Sequence, residues 1–355
     1  MTRRDFLAAA AAVPAAPIPA APARRSIYAW YPARFGTWNT ASIRWSALTH
    51  LSFRSVVIRG DGSLATTAGK PPRDFVERAH RHGVKVTVLV WADKREDSDS
   101  YLARHGAEAA RNLAAYVRGN GLDGLAFDDE QPRATNNGTG GPNAPLLGAF
   151  FERLRDALPP PLHRAYAAPP VISARDRFGA SWIPWDRIVP AVDAVIPMIY
   201  TANPPSIGWS TNPEPLEGGG STPQTVTRDI VTLMRDYLVA VPRAKLLLGI
   251  NAFPFAGYEF RCRTEQRLSP TLGPGRRRPF AEMEAQARLH GARWDEAQQS
   301  AWYAFREGDA WVQGWYDTAR SWRAKLAYID RQGLGGAGIW VLDGAGDSDA
   351  MWEMI

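Results

Sequence analysis

Short apolar runs rich in β-branched residues alternate with helix-patterned stretches along most of this chain, and that alternation constrains the fold most. A run such as Val86-Thr87-Val88-Leu89-Val90 is apolar on both faces, as a parallel strand covered by helices must be. Strands are predicted at Ser26–Tyr31, His50–Ile58, Val84–Trp91, Leu122–Asp129, Arg164–Ala168, Ala194–Tyr200, Lys245–Asn251 and Ala337–Leu342. Between them lie helical patterns with stop signals: Arg73–His82 before Gly83, Ala107–Arg118 before Gly-Asn-Gly, and Thr225–Val241 before Pro242. Eight strands with interposed helices close most economically as an α/β (β/α)8 TIM barrel. A doubly wound open sheet would need a glycine-rich phosphate turn after the first strand. The segment there, from Tyr31 to Trp38, is aromatic and has no GxGxxG.

A length of 355 residues suits one such barrel with loop insertions, and 45% hydrophobic with 22% charged residues is a globular balance. The stretch Phe253–Trp322 is too long for an ordinary connection and is expected to be an insertion between strands seven and eight. Two loop-like regions, Pro132–Pro145 and Asn203–Pro223, follow the C-terminal ends of strands, where active sites of such barrels sit. The net charge of +6 comes from scattered Arg and one short run, Arg276–Arg278, without interleaved aromatics, so no nucleic-acid partner is expected. Cys262 is the only cysteine, which excludes an intramolecular disulfide and a thiolate metal cluster. Of the six His only His80 and His82 lie two apart, but on a helical pattern that spacing turns them to different faces, and no HExxH is present, so neither a metal nor a cofactor is expected.

Residues 1–23 read as an export signal: the twin arginine Arg3-Arg4, an Ala-rich apolar run and the small-residue site Ala21-Pro22-Ala23. The remaining 24–355 should be a barrel without a membrane span, exported to the periplasm or the medium, and monomeric.

The chemistry is concentrated in Gly121-Leu-Asp-Gly-Leu-Ala-Phe-Asp-Asp-Glu130. Alternate side chains of a strand share a face, so Ala126, Asp128 and Glu130 point one way and Phe127 points to the surrounding helices. Two carboxylates that close cannot both ionise cheaply, so one pKa should rise, which suits a general acid. An N-cap or salt-bridge cluster at a strand end would give the same pattern. A divalent-metal site would want further carboxylates nearby, and none stands out.

The segment resembles the DGxDxDxE signature of glycoside hydrolase family 18, the chitinase family: Asp123-Gly124 match its opening pair, Asp128 its last Asp and Glu130 its Glu. Trp45–Phe53 with Asp61-Gly62 resembles the family's second strand and turn, Met198-Ile199-Tyr200 its M-x-Y, and Leu246–Ile250 its seventh strand. Trp294-Asp295-Glu296, Trp315-Tyr316-Asp317, Lys325 and the closing Gly335–Trp340 resemble the run into its eighth. Over 253–340 the chain is most similar to the di-N-acetylchitobiase branch, with Gly257-Tyr258-Glu259-Phe260 resembling its GYDY.

The resemblance implies substrate-assisted hydrolysis with retention on a β-linked N-acetylglucosamine-containing oligosaccharide or polysaccharide, chitin-like or peptidoglycan-like. Glu130 would be the acid/base, Asp128 would orient the 2-acetamido group, and Tyr200 would hydrogen-bond its oxygen. Trp340 would be the floor under the −1 sugar, with Met198, Asp123 and Tyr258 also on the substrate side.

Three departures stand out. Ala126 takes the place of the middle Asp, so Asp128 should ionise more readily than in the family. Thr201 replaces the Asp that often follows M-x-Y, and strand three ends Val88-Leu-Val-Trp-Ala92 without SxGG. A barrel glycosidase for a glycan lacking the acetamido group, or a non-catalytic sugar-binding barrel, are the alternatives these departures leave open.

Overall fold

The structure, a computed structural model, describes residues 25–31, 43–67, 69–130, 144–169, 183–201, 203, 206–218, 228–252, 257–342 and 352. The expected export signal and residues 132–143 of the expected loop Pro132–Pro145 lie outside those residues, and the end of that loop falls in the helix that starts at Ala144. In chain order the elements begin with β1 (Ser26–Tyr31), β2 (His50–Ile58), β3 (Leu64–Thr66), α1 (Arg73–Arg81) and β4 (Lys85–Trp91). Next come α2 (Arg95–Ser100), α3 (Gly106–Gly119), β5 (Gly124–Phe127), α4 (Ala144–Ala157), β6 (His163–Ala168), α5 (Trp185–Ile188) and β7 (Ala194–Pro197). After these stand α6 (Ile230–Ala240), β8 (Leu247–Asn251), β9 (Gly257–Cys262), β10 (Arg276–Arg278) and α7 (Phe280–His290). The last elements are β11 (Arg293–Asp295), β12 (Ser300–Glu307), β13 (Ala310–Tyr316), α8 (Ala319–Gln332) and β14 (Gly336–Trp340).

The parallel strands hydrogen-bond in the order β7-β6-β5-β4-β2-β1-β14-β8, with β3 antiparallel on β2. A parallel bridge between Val195 and Leu246 brings β7 to β8 and closes the ring into the expected barrel. The seam is tight: a Cβ on Gly249 of β8 would lie 2.1 Å from the carbonyl oxygen of Pro197. The period-2 rule decides what fills the barrel. Tyr28, Trp30, Leu89, Ala126, Ala165, Ala167, Ile196 and Leu247 point inward and pack together, while the alternate residues meet the helices. Phe127, for example, lies 5.1 and 5.4 Å (ring centroids) from Phe151 and Phe150 of α4.

The helices follow from their apolar stripes. In α3, Ala109, Ala110, Leu113, Ala114 and Val117 are buried at helical spacing. Helix α8 starts at Thr318, whose backbone N–H donates to Ser321 Oγ at 3.1 Å, and stops at Gly333, whose φ of 63° is left-handed. Helix α6 begins at Ile230, where Asp229 caps it by accepting from the Thr232 N–H at 2.7 Å, instead of running from Thr225. The sixth strand also ends earlier than expected, because Ile199–Thr201 turns into a 3-10 helix after Pro197.

The expected insertion between the seventh and eighth barrel strands is a five-stranded antiparallel sheet in the order β10-β9-β13-β12-β11, with α7 packed on one face. Among the described residues no helix is long and apolar enough to cross a membrane.

Candidate active site

Because the barrel strands are parallel, the ends carrying Trp91, Asp128, Tyr200, Asn251 and Trp340 all open on one face. The two outward positions around the motif are spent on structure. Phe127 is buried against α4. Asp129 is 3% exposed, its Oδ2 accepting from Ser98 Oγ at 2.7 Å and from the Tyr101 hydroxyl at 2.5 Å. The inward positions are Ala126, fully buried between Leu89 and Ala165 in register, then Asp128, half-buried, then Glu130, exposed at the rim.

Asp128 is the perturbed carboxyl of the pair. Burial holds it well above the usual carboxylate range, Glu130 and Asp129 push the same way, and Arg54 pulls against them. One upward push is missing with the middle Asp gone, yet burial by itself keeps the Asp128 carboxyl well above the usual range. Its Oδ1 is buried and has no hydrogen-bond partner among the described residues, which leaves one acceptor of the pair unmet.

The other inward residues form an aromatic wall. Tyr200 and Trp340 lie nearly parallel, with ring centroids 6.2 Å apart and planes 6° apart, and Trp30 meets Trp340 edge-on at 6.1 Å. Met198 is buried in the same cluster. Burial raises the Tyr200 hydroxyl well above its ordinary value, and the charges of Asp128, Glu130 and Glu214 add to the shift, so it stays a neutral phenol. Its carbonyl accepts from Asn251 Nδ2 at 2.7 Å, which anchors the turn that carries it.

Asp128, Glu130, Tyr200, Met198 and Trp340 thus share the barrel mouth. Asp123 does not, and its expected place among the substrate-binding residues is corrected. It stands at the opposite end of β5, where Oδ2 accepts the Val86 N–H at 2.7 Å and contacts His80 Nε2 at 2.7 Å. The glycine after it is equally structural: Gly124 has φ 152°, and a Cβ there would lie 1.9 Å from the His163 carbonyl oxygen. Tyr258 stands apart from the pair, half-buried on β9 of the inserted sheet, where the nearby charges are Arg277 and Glu214.

Two features escaped the sequence reading. Arg54 reaches the mouth from β2 with its guanidinium carbon 4.1 Å from the centre of the Trp91 ring. Its signal was present: His50, Ser52 and Arg54 are polar at period 2 in a run that otherwise reads as buried. Behind the wall, Lys325 Nζ contacts Glu214 Oε1 at 3.0 Å and also bonds Asp317, a cluster no local spacing could show. Burial pushes Glu214 up to about 8, with Lys325 opposing and Asp317 adding to the shift.

A closed parallel barrel with a carboxyl pair and stacked aromatics at the C-terminal ends of its strands is a frame suited to glycosidic chemistry. The model of glycosyl hydrolases family 18 matches residues 28–345. The chain belongs to glycoside hydrolase family 18. It is 27% identical over 328 residues to human di-N-acetylchitobiase, covering 82% of this chain and 78% of that protein. It is also 27% identical over 256 residues to mouse chitotriosidase-1, covering 66% of this chain and only 52% of that protein, so the match spans about half of that relative's length. Among solved structures, a Chromobacterium violaceum chitinase superposes with a TM-score of 0.72 at 18% identity, covering 93% of this chain and 97% of that one. A family 18 N-acetylglucosaminidase from Paenibacillus barengoltzii superposes with a TM-score of 0.75 at 15% identity, covering 93% and 100%. At those identities the likeness is one of fold.

Proposed function

We propose that the protein is a retaining glycosidase acting by substrate-assisted catalysis on a β-linked N-acetylglucosamine-containing glycan. The observation that carries this reading is the pairing of an exposed Glu130 with an inward, half-buried Asp128 whose Oδ1 has no partner among the described residues. Glu130 donates its proton to the glycosidic oxygen as the C1–O bond breaks. The carbonyl oxygen of the sugar's own 2-acetamido group bonds to C1 and gives an oxazolinium ion. Asp128 accepts the acetamido N–H, and the positive charge growing on that group favours the ionised carboxylate against its burial. Water then attacks C1 and gives a proton to Glu130, the bond from C1 to the acetamido oxygen breaks, and the anomeric configuration is retained. The Tyr200 phenol donates to the acetamido oxygen, and Trp340 lies under the ring. The likeness to di-N-acetylchitobiase and chitotriosidase-1 supports an amino-sugar substrate, and export through the twin-arginine segment would place the enzyme where such polymers lie.

The test is hydrolysis of chito-oligosaccharides by the wild type and Glu130→Gln, with the product anomer determined. Turnover with retention, inhibition by a thiazoline analogue of the oxazolinium ion, and loss of turnover with kept binding in Glu130→Gln are expected. Full activity in that variant, or insensitivity to the thiazoline, overturns the reading.

A further inference from the structure

Arg54 is a charged side chain on the inward face of a barrel strand, where its neighbours in register are apolar. It pairs with Leu89, and Leu89 pairs with Ala126, so Arg54 starts from the layer in which the family's middle carboxylate is missing. Its guanidinium is not buried there. The residue is exposed, and its head lies over the Trp91 ring, 4.1 Å from the centroid. Trp91 is only 7% exposed and is fixed by its indole N–H, which donates to Asp93 Oδ1 at 2.7 Å. The cation is thus held in place by stacking, with no hydrogen bond or ion pair to another described residue. Asp128 feels its charge but is not bonded to it. Lys94 follows Trp91 closely on the same rim and is also exposed.

A fixed, unpaired guanidinium costs conformational freedom and returns little in stability; its forked donors match a carboxylate. A neutral sugar can accept single hydrogen bonds from it through hydroxyl or amide oxygens, but only an anionic group matches both its charge and its fork. As Glu130 gives up its proton and Asp128 ionises during turnover, a carboxylate on the substrate would be repelled unless a cation offset them. We propose that Arg54, stacked on Trp91, is a carboxylate-binding subsite, and that the preferred substrate is an acidic amino-sugar glycan with a carboxylate on a sugar in or beside the reacting position. This rests on the glycosidase reading above and narrows its substrate class.

Two sources could supply that carboxylate: a lactyl ether on an N-acetylmuramic acid residue, or the C6 acid of a uronic acid residue. The experiment measures kcat/KM on oligomers of alternating N-acetylglucosamine and N-acetylmuramic acid, on hyaluronan oligosaccharides, on the methyl ester of each, and on chitohexaose. The wild type should prefer one acid over its ester by about tenfold or more, and the preferred series identifies the source. Arg54→Gln should reduce that acid-to-ester ratio by about tenfold, Arg54→Lys should keep part of it, and added salt should weaken the wild-type preference. Equal losses on acid, ester and chitohexaose would show that Arg54 acts through Asp128 or the fold, and would overturn the proposal. So would a wild type that does not distinguish either acid from its ester. Calorimetric binding of each acid and ester to Glu130→Gln, with and without Arg54→Gln, reads the subsite independently of turnover. If nothing is hydrolysed but the acid is still preferred in binding, the glycosidase reading fails and the subsite stands. If the acid is not preferred in binding, the subsite fails.

Discussion

Ala126 and Asp128 show how one residue resets the site without removing it. The strand places 126, 128 and 130 on one face, so a side chain at 126 lies directly beneath Asp128. An alanine there leaves Asp128 Oδ1 without a partner and makes burial the main force on its proton. Ala126→Asp would supply both a partner and a second negative charge. A carboxylate that close raises the pKa of Asp128 and Glu130 alike, so the bell-shaped pH dependence of kcat/KM should move to higher pH by about half a unit or more. Because position 126 is fully buried, stability should also fall at neutral pH and recover partly at acid pH, where the new group is protonated. An unmoved pH profile would mean that the two positions are not coupled.

Strand β5 carries two kinds of chemistry, one at each end. Asp123 joins α1 to β4 at the closed end, through His80 and the Val86 N–H. Asp123→Ala leaves that N–H without its acceptor and should cost about 1–2 kcal/mol in a denaturant melt. KM for a chito-oligosaccharide should stay unchanged; a rise in KM with unaltered stability would return Asp123 to the substrate side. The elements themselves were readable because burial and periodicity agree. β1 and β2 fall on their expected residues, and the remaining barrel strands differ by a few residues at their ends. What the sequence hid was which end of a strand a polar residue serves, since motif adjacency put Asp123 beside Asp128 when the strand separates them. Arg54 was hidden for a related reason: a lone cation in an apolar run gains meaning only when Trp91, from the next strand, lies beneath it.

At the scale of the whole molecule, buried ionisable groups tie the parts together and make stability depend on pH. On the barrel floor, His50 and His163 face each other from strands that are not neighbours, ring centroids 4.3 Å apart. Burial lowers both to about 3, with cationic Lys85 adding to it. An unfolded chain takes up these protons at its ordinary value of about 6.5, so their contribution is complete above that pH and is lost as pH falls toward 3. Each imidazole should contribute a slope of about 1.4 kcal/mol per pH unit within that window. His163→Gln should flatten the fall in urea midpoint between pH 6 and pH 4, on the order of one such slope. Lys325 is the corresponding node on the other side. From α8 it holds Glu214, which accepts the Asn251 N–H at 3.2 Å, and Asp317, which accepts from Asn212 Nδ2 at 2.9 Å. Asn251 in turn anchors the Tyr200 carbonyl, so barrel, inserted sheet and site meet at one ammonium. Lys325→Met leaves the buried Asp317 carboxylate and the Glu214 carboxyl without their cation and should cost about 3–5 kcal/mol, with a rise in KM as the Tyr200 turn loosens. Adding Glu214→Gln and Asp317→Asn removes the stranded charge, so the triple variant should regain much of that stability in urea melts. Equal loss in single and triple variants would show that packing, and not the unpaired charge, is what Lys325 supplies.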